Sequence, residues 1–211
     1  MLLTLVLYDN PLSGNCHKVR LILALLGIEY ERRELSVTDH SDRLEVLGGL
    51  SPTLNVPTVV LEDGRPLAES NAILWYFADG TEYLPEDAYE RAQVLQWMFF
   101  EQYKHEPGVA VVRFWDSIAP SELTPPPGLE AKREDGWTAL KAMERHLRER
   151  EYVVGSGLTI ADIALFAYTH VADEAGFDLE PLPAVRAWLR RVEAHPGIVP
   201  MDPVGEAERK G

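Results

Sequence analysis

The chain has 211 residues, enough for one large domain or two small ones with a sizeable core. Hydrophobic residues make up 46% and charged residues 26% of the chain, which is typical of globular proteins and excludes extensive disorder. The net charge of −14 argues against a nucleic-acid partner, because affinity for phosphate backbones depends on clustered Lys and Arg.

The cysteine content and the apolar runs predict the compartment. Cys16 is the single cysteine, so the chain cannot form an internal disulfide and has too few thiols for a zinc site. The longest apolar run, residues 21–26, is too short to span a membrane, and the N-terminus lacks a basic stretch followed by a cleavable apolar one. We therefore expect a cytoplasmic protein with no metal and no membrane partner.

The chain opens with a strand that leads into a helix. Residues 5–8 form the predicted strand, residues 9–12 a turn, and the helix begins at Ser13. A helix N-terminus favours anions, because its first N–H groups are unpaired and its dipole is positive there. Ser13, Asn15 and Cys16 lie at this end, where each could bind a ligand or merely cap the helix or pack in the core.

The next fifty residues alternate between strand and helix patterns. After Gly27 ends the first helix, the predicted elements are a strand at 28–35, a short helix within 38–50, strands at 58–62 and 65–68, and a helix at 69–77. Asp63 and Gly64 between the last two strands are a strong hairpin signal, and Pro66 marks the second of them as an edge strand. The order over residues 1–80 is therefore β-α-β-α-β-β-α.

Beyond residue 80 the strand patterns stop. Residues 81–87 carry acids and a proline, and we interpret them as a linker between a domain of residues 1–80 and an all-α domain of residues 88–211. Thr159 and Asp162 form a capping-box pattern at the start of a helix that we expect to be central. The other predicted elements are helices at 88–117 (kinked at Pro107), 129–149 and 184–194, and a loose tail from Met201.

This α+β organisation resembles the cytosolic glutathione S-transferases, which join a thioredoxin-like N-terminal domain to a helical-bundle C-terminal domain. The likeness covers essentially the whole chain. Three segments carry it, in the family's order and spacing: Ser13-Gly14-Asn15-Cys16, Asn55-Val56-Pro57 and Leu67-Ala68-Glu69-Ser70. Together they are specific for the family and less so for a subclass, with theta-like and nu-like members the most similar.

The resemblance implies that glutathione is a co-substrate, activated as a thiolate. The Val56 backbone would pair with its cysteinyl part beside a cis Pro57, while Glu69 and Ser70 would bind the ammonium and carboxylate of its γ-glutamyl end. The thiolate would conjugate hydrophobic electrophiles or reduce disulfides or peroxides. Family members are usually homodimers, so we expect one here.

The group that contacts the sulfur stays open at this point. Ser13 matches the catalytic hydroxyl of serine-type members, Asn15 matches the asparagine of nu-class members, and Cys16 lies near the cysteine of beta- and omega-class members. Two alternatives follow from these matches and from related domains. The first is a thiol transferase that works through Cys16, and the second is a non-catalytic binding or regulatory module.

Some positions depart from the family pattern. Asn55 replaces a common Lys or Gln, and the 39–42 loop is more acidic than the usual pocket for the glycine carboxylate of glutathione. His40 or Arg43 could compensate for these changes. The candidates for the electrophile pocket are Tyr8, Leu12, Tyr103, Glu106, Arg113, Phe114 and Trp115.

Overall fold

The computed structural model describes residues 4–199 and 201 and divides them into two compact units. Residues 4–79 form the first unit together with 197–199 and 201, and residues 80–196 form the second. The predicted tail from Met201 lies almost wholly outside the described residues, and the predicted domain bounds stay a prediction.

The first unit contains a four-stranded sheet and three helices. Its elements are β1 (Val6–Asp9), α1 (Gly14–Leu25), β2 (Glu31–Glu34), α2 (Arg43–Leu47), β3 (Thr58–Val60), β4 (Pro66–Ala68) and α3 (Ser70–Ala78). The strand order is β2-β1-β3-β4, with β1 parallel to β2 and antiparallel to β3. Both the predicted order of elements and the edge position of the strand that begins at Pro66 are confirmed.

Helix α1 is deeply buried in this unit. Nine of its twelve residues are buried, and it packs against α3, which explains why its sequence is apolar on nearly every side. Gly27 follows its C-cap with φ +63°, the left-handed conformation predicted for a glycine that ends a helix.

Strand β2 is shorter and more exposed to solvent than predicted. The expected strand at 28–35 is reduced to Glu31–Glu34, and all four residues are exposed instead of alternating between core and solvent. An edge position and ion pairs explain the difference. Arg33 pairs with Glu31 at 2.8 Å, and Arg32 reaches Asp9 on the neighbouring strand at 2.5 Å.

All the secondary structure of the second unit, within residues 80–196, is helical, and loops connect the helices. Its helices are α4 (Ala88–Phe100), a π-helical turn (Glu101–His105), α5 (Glu106–Arg113), a second π-helical turn (Phe114–Ile118), α6 (Leu129–Leu147), α7 (Ile160–Thr169), a 3₁₀ turn (Ala172–Ala175) and α8 (Pro183–Glu193). Within the part of the chain that is described, no helix has the length and apolar character needed to cross a membrane.

The helix predicted over 88–117 changes to a π-helical turn, Glu101–His105, just before Pro107, where a kink was predicted. Proline lacks an N–H group and its ring clashes with the carbonyl four residues earlier, so a regular helix cannot run through it unchanged. Just beyond it, Gly108 lets α5 approach α6. A Cβ at this position would lie 2.4 Å from the backbone nitrogen of Gly136, so the close helix contact requires a glycine there.

Helix α7 is the centre of the second unit, as predicted. All ten of its residues are buried, and the capping box of Thr159 and Asp162 is present. The Asp162 carboxylate also accepts bonds from the Val153 backbone N–H and the Trp188 indole, both at 2.9 Å. Burial raises the pKa of this carboxyl, and the donors around it oppose the rise.

Candidate functional site

Three segments that carry chemistry meet at one end of the sheet in the first unit. Tyr8 on β1 pairs with Thr58 on β3, which pairs with Ala68 on β4. The turn after β1, the segment before β3 and the residue after β4 therefore lie at the same edge. The N-termini of α1 and α3 lie at this same end of the sheet. The first N–H groups of both helices, which have no partner within their own helix, therefore lie there.

Ser13 caps helix α1. Its side chain accepts a hydrogen bond from the Cys16 backbone N–H at 3.3 Å, so the capping interpretation is confirmed. Capping uses only an acceptor lone pair of the hydroxyl, which still has its own hydrogen to donate. Ser13 is half-buried, and its geometry is compatible with donation to an anion at the helix N-terminus.

The turn that carries Ser13 is held by a buried charge network that the sequence analysis missed. Asp9 is fully buried and pairs with Arg20 at 2.6 Å. The Arg20 guanidinium also donates to the backbone carbonyls of Asn10 and Pro11, both at 3.1 Å. The available signal was an acid in an apolar strand followed by a base in an apolar helix, since such charges are buried only when they are paired.

Asn15 and Ser70 connect the two helix N-termini. The Ser70 hydroxyl, which is buried, donates to Asn15 Oδ1 at 3.1 Å. Lys18 Nζ lies 3.5 Å from the same hydroxyl oxygen. The structure thus brings two of the predicted site residues into direct contact and adds a lysine to them.

Glu69 has an unusual backbone for a residue with a side chain. Its φ is +72°, it is exposed, and it immediately precedes α3. Such a conformation costs on the order of 1–3 kcal/mol, and residues that keep it cluster at ligand sites. A pocket of about 550 Å³ lies beside Glu69, between residues 48–53 and 66–69.

The Val56–Pro57 peptide bond is cis, as the resemblance implied. Pro57 is buried and Val56 half-buried, whereas Asn55 is exposed. The Asn55 carbonyl accepts a bond from the Thr58 hydroxyl at 2.8 Å, which fixes the chain just before β3.

Cys16 is fully buried inside α1. Burial, and then the nearby Asp9 carboxylate, raise the pKa of its thiol to about 12. Such a thiol is protonated at neutral pH, whereas a nucleophilic cysteine needs a lowered pKa and exposure. Its burial and raised pKa favour the packing role, and a catalytic role for Cys16 stays a prediction.

Comparison with known proteins identifies the family. Residues 12–79 match the N-terminal domain of glutathione S-transferases, and residues 126–191 match their C-terminal domain. A crystal structure of a glutathione S-transferase from Pseudomonas fluorescens is 43% identical, with a TM-score of 0.84, covering 94% of this chain and 98% of the other. The chain belongs to the glutathione S-transferase family.

Two other proteins are similar to this chain over most of its length. The disulfide-bond oxidoreductase YfcG of Escherichia coli is 26% identical over 197 residues, covering 90% of each chain. A glutathione transferase family member from Pseudomonas fluorescens, solved with two glutathione bound, is 28% identical with a TM-score of 0.78, covering 92% of this chain and 90% of the other.

His40 does not contact Asn15 or Ser70 in this glutathione S-transferase family member. His40 is exposed, and its imidazole contacts the Val37 carbonyl of its own loop at 3.2 Å. Arg43 is buried and donates to the Ser36 carbonyl. Burial lowers its pKa, and its Nε and Nη1 atoms have no hydrogen-bond partner in residues 4–199 and 201.

The candidates for an electrophile pocket differ in their surroundings. Tyr8 and Leu12 are buried in the first unit, and Tyr103 in the second is 82% exposed. Arg113 is 1% exposed and forms an ion pair with Glu174 at 2.7 Å. A guanidinium held in this way supports the fold of the helical unit, so Arg113 is a poor candidate for a pocket residue.

Proposed function

We propose that this protein binds glutathione at the end of the sheet and activates its thiol as a thiolate. The proposal rests on one observation. Ser13, Asn15, Ser70 and the Val56–Pro57 segment converge at one end of the sheet. A family relative that is 28% identical and was solved with two glutathione bound supports it.

Each part of glutathione finds a chemical partner in this arrangement. The γ-glutamyl carboxylate is met by the backbone N–H groups at the start of α3, that of Ser70 among them, and its ammonium by the exposed Glu69 carboxylate. The Val56 backbone pairs with the cysteinyl part as an added strand would. The buried Arg43, or the exposed His40, is the candidate partner for the glycine carboxylate.

The energy needed for thiol activation is within the capacity of these groups. The pKa of the glutathione thiol is about 8.5, and lowering it by two units takes about 2.7 kcal/mol. One hydrogen bond to a charged group contributes about 1.5–3 kcal/mol, and a helix N-terminus adds about 0.3–1 kcal/mol. Donation by Ser13 or Asn15 at the start of α1 is therefore sufficient, and no general base is needed.

The second substrate is a hydrophobic electrophile, or a disulfide or peroxide. All of these reactions use the same thiolate, and the relatives include a protein named glutathione S-transferase and one named disulfide-bond oxidoreductase. Assays with an aryl halide, an organic peroxide and hydroxyethyl disulfide separate the classes. The class with the highest kcat/KM identifies the reaction.

Cys16→Ala is expected to retain most of the parental kcat/KM in each of these assays. The reason is that a buried thiol with a raised pKa contributes packing and no thiolate. The measurement is steady-state kinetics on the purified variant at neutral pH. Loss of nearly all activity in a variant that keeps its melting temperature would contradict this and favour the Cys16-based thiol transferase.

We also propose a homodimer, with the exposed apolar residues of α4 and the following π-helical turn in the interface. Tyr89, Phe99 and Tyr103 are 71%, 68% and 82% exposed. Several large exposed side chains on one helical run are typical of an interaction surface. Phe99→Glu is expected to lower the mass in light scattering from twice 23.7 kDa toward 23.7 kDa.

Leu123→Glu is the matched control for the dimer, since Leu123 is 52% exposed in the loop before α6. It is expected to leave the mass unchanged. A parental protein that scatters as a monomer, or a Phe99→Glu variant that stays dimeric, would contradict the proposed interface.

Calorimetric titration with glutathione tests the proposed function. The expected result is saturable binding by the parental protein that is weakened in Glu69→Gln, because the neutral amide cannot pair with the ammonium of glutathione. Absence of binding would overturn the proposal. Binding without turnover in any of the assays would leave only the non-catalytic module.

A further inference from the structure

Lys18 is a buried lysine beside the proposed thiol site. Of the four lysines in the described residues, it alone is buried, with 0% relative exposure. Lysine is almost never fully buried unless its charge has a partner, because removing an ammonium from water is costly. A lysine kept in this position needs a reason.

Stabilisation of helix α1 is not that reason. Lys18 is the fifth residue of α1, near the end of the helix where the dipole is positive. The dipole effect falls off within the first turn and favours anions at this end, so it gives an ammonium at the fifth residue no stabilisation. The dipole therefore gives the Lys18 charge no stabilisation, and the Ser70 hydroxyl is among the groups that contact its ammonium.

The contacts of Lys18 lead to Asn15. Lysine can only donate, so the Ser70 oxygen 3.5 Å away receives from it, while the Ser70 hydroxyl donates to Asn15 Oδ1 at 3.1 Å. This direction fixes the amide with its oxygen on Ser70. The Asn15 NH₂ group carries two hydrogens, so it can offer one to a sulfur at the start of α1 whatever else it contacts.

We infer that Lys18 is a positioning residue of the thiol site, which orients the Asn15 amide through Ser70 and supplies a buried positive charge that favours the bound thiolate. The inference rests on the proposed function. A charge excluded from water acts over a longer distance than one on the surface, since the local dielectric constant is low. The hydrogen bonds from Lys18 to Ser70 and from Ser70 to Asn15 also strengthen one another, because each bond polarises the next.

The test is a titration of the thiol of protein-bound glutathione by its ultraviolet thiolate absorbance, in the parental protein and in Lys18→Met. The neutral side chain is expected to raise the pKa of the bound thiol by about one unit, which lowers its ionisation constant about tenfold. Lys18→Met should also weaken glutathione binding more than binding of S-methylglutathione, which has no ionisable thiol. A purely structural role would weaken both ligands equally.

Two further variants keep the test decisive. Lys18→Gln repeats the loss of charge with a polar side chain, in case the methionine variant does not fold. Leu140→Ala, a buried change in α6 of the second unit, controls for loss of stability alone and is expected to leave the bound thiol pKa unchanged.

The outcomes separate this inference from the proposed function. A parental protein that binds no glutathione, or binds it with an unshifted thiol, overturns the proposed function, and the role of Lys18 is lost with it. A parental protein with a lowered thiol pKa that is unchanged in a folded Lys18→Met or Lys18→Gln variant overturns the inference alone.

Discussion

Replacing Ser13 and Asn15 together is expected to remove most of the glutathione-dependent activity. Each residue can give the sulfur a hydrogen bond, and losing a bond to a charged group costs about 1.5–3 kcal/mol, or roughly 10- to 150-fold in kcat/KM. The effects of the single changes should not add, because the remaining donor takes over part of the role. Conjugation of an aryl halide, followed across pH, is the measurement.

The pH profile gives the sign of the effect. Activity rises with pH as the thiol ionises, and in the parental protein the midpoint is expected below the free value of about 8.5. In the Ser13→Gly/Asn15→Ala variant the midpoint should move up toward that value. Glycine is chosen for position 13 because it costs an N-cap only a few tenths of a kcal/mol, whereas alanine costs about 1 kcal/mol.

Ser121→Ala is the matched control for these changes. Ser121 is exposed in the loop before α6, and its replacement is expected to leave both the rate and the midpoint unchanged. A double variant with the parental rate and midpoint would show that neither side chain holds the thiolate.

Asp162→Ala is expected to have the largest effect on stability. The carboxylate accepts bonds from the backbone N–H groups of Val153 and Thr159, the Thr159 hydroxyl and the Trp188 indole, at 2.9–3.0 Å. Leaving a buried donor without an acceptor costs about 1–3 kcal/mol, so several together cost about 4 kcal/mol or more. A protein of this size should lose about 10 °C or more in melting temperature.

Thermal denaturation followed by circular dichroism is the measurement for Asp162→Ala. Asp135→Ala is the control, because Asp135 is an exposed acid in the middle of α6. A melting temperature of Asp162→Ala within error of the parental protein would show that the donors find other partners.

Local sequence patterns were sufficient for the order of elements and for several site residues. The capping box of Thr159 and Asp162 could be predicted because it depends on residues three apart. Ser13 could be placed at a helix N-terminus, and Pro66 on an edge strand, for the same reason. Each of these signals is complete within a few residues of sequence.

Features that depend on distant partners could not be predicted. The Asn15–Ser70 contact joins residues 55 apart, and the approach of Lys18 to Ser70 spans 52. The apolar surroundings of Asp9 and Arg20 indicate that the two charges pair, but they do not indicate that Arg20 also binds the carbonyls of the turn before Ser13. The π-helical turn before Pro107 was also not predicted, since it changes the helical register without changing the apolar pattern.

The pKa of the thiol in bound glutathione is the most direct test of the central claim. Titration of the thiolate absorbance in the complex of the parental protein with glutathione should give a value about two units below the free value of about 8.5. A bound thiol that titrates at the free value would contradict the claim that the N-terminus of α1 holds a thiolate.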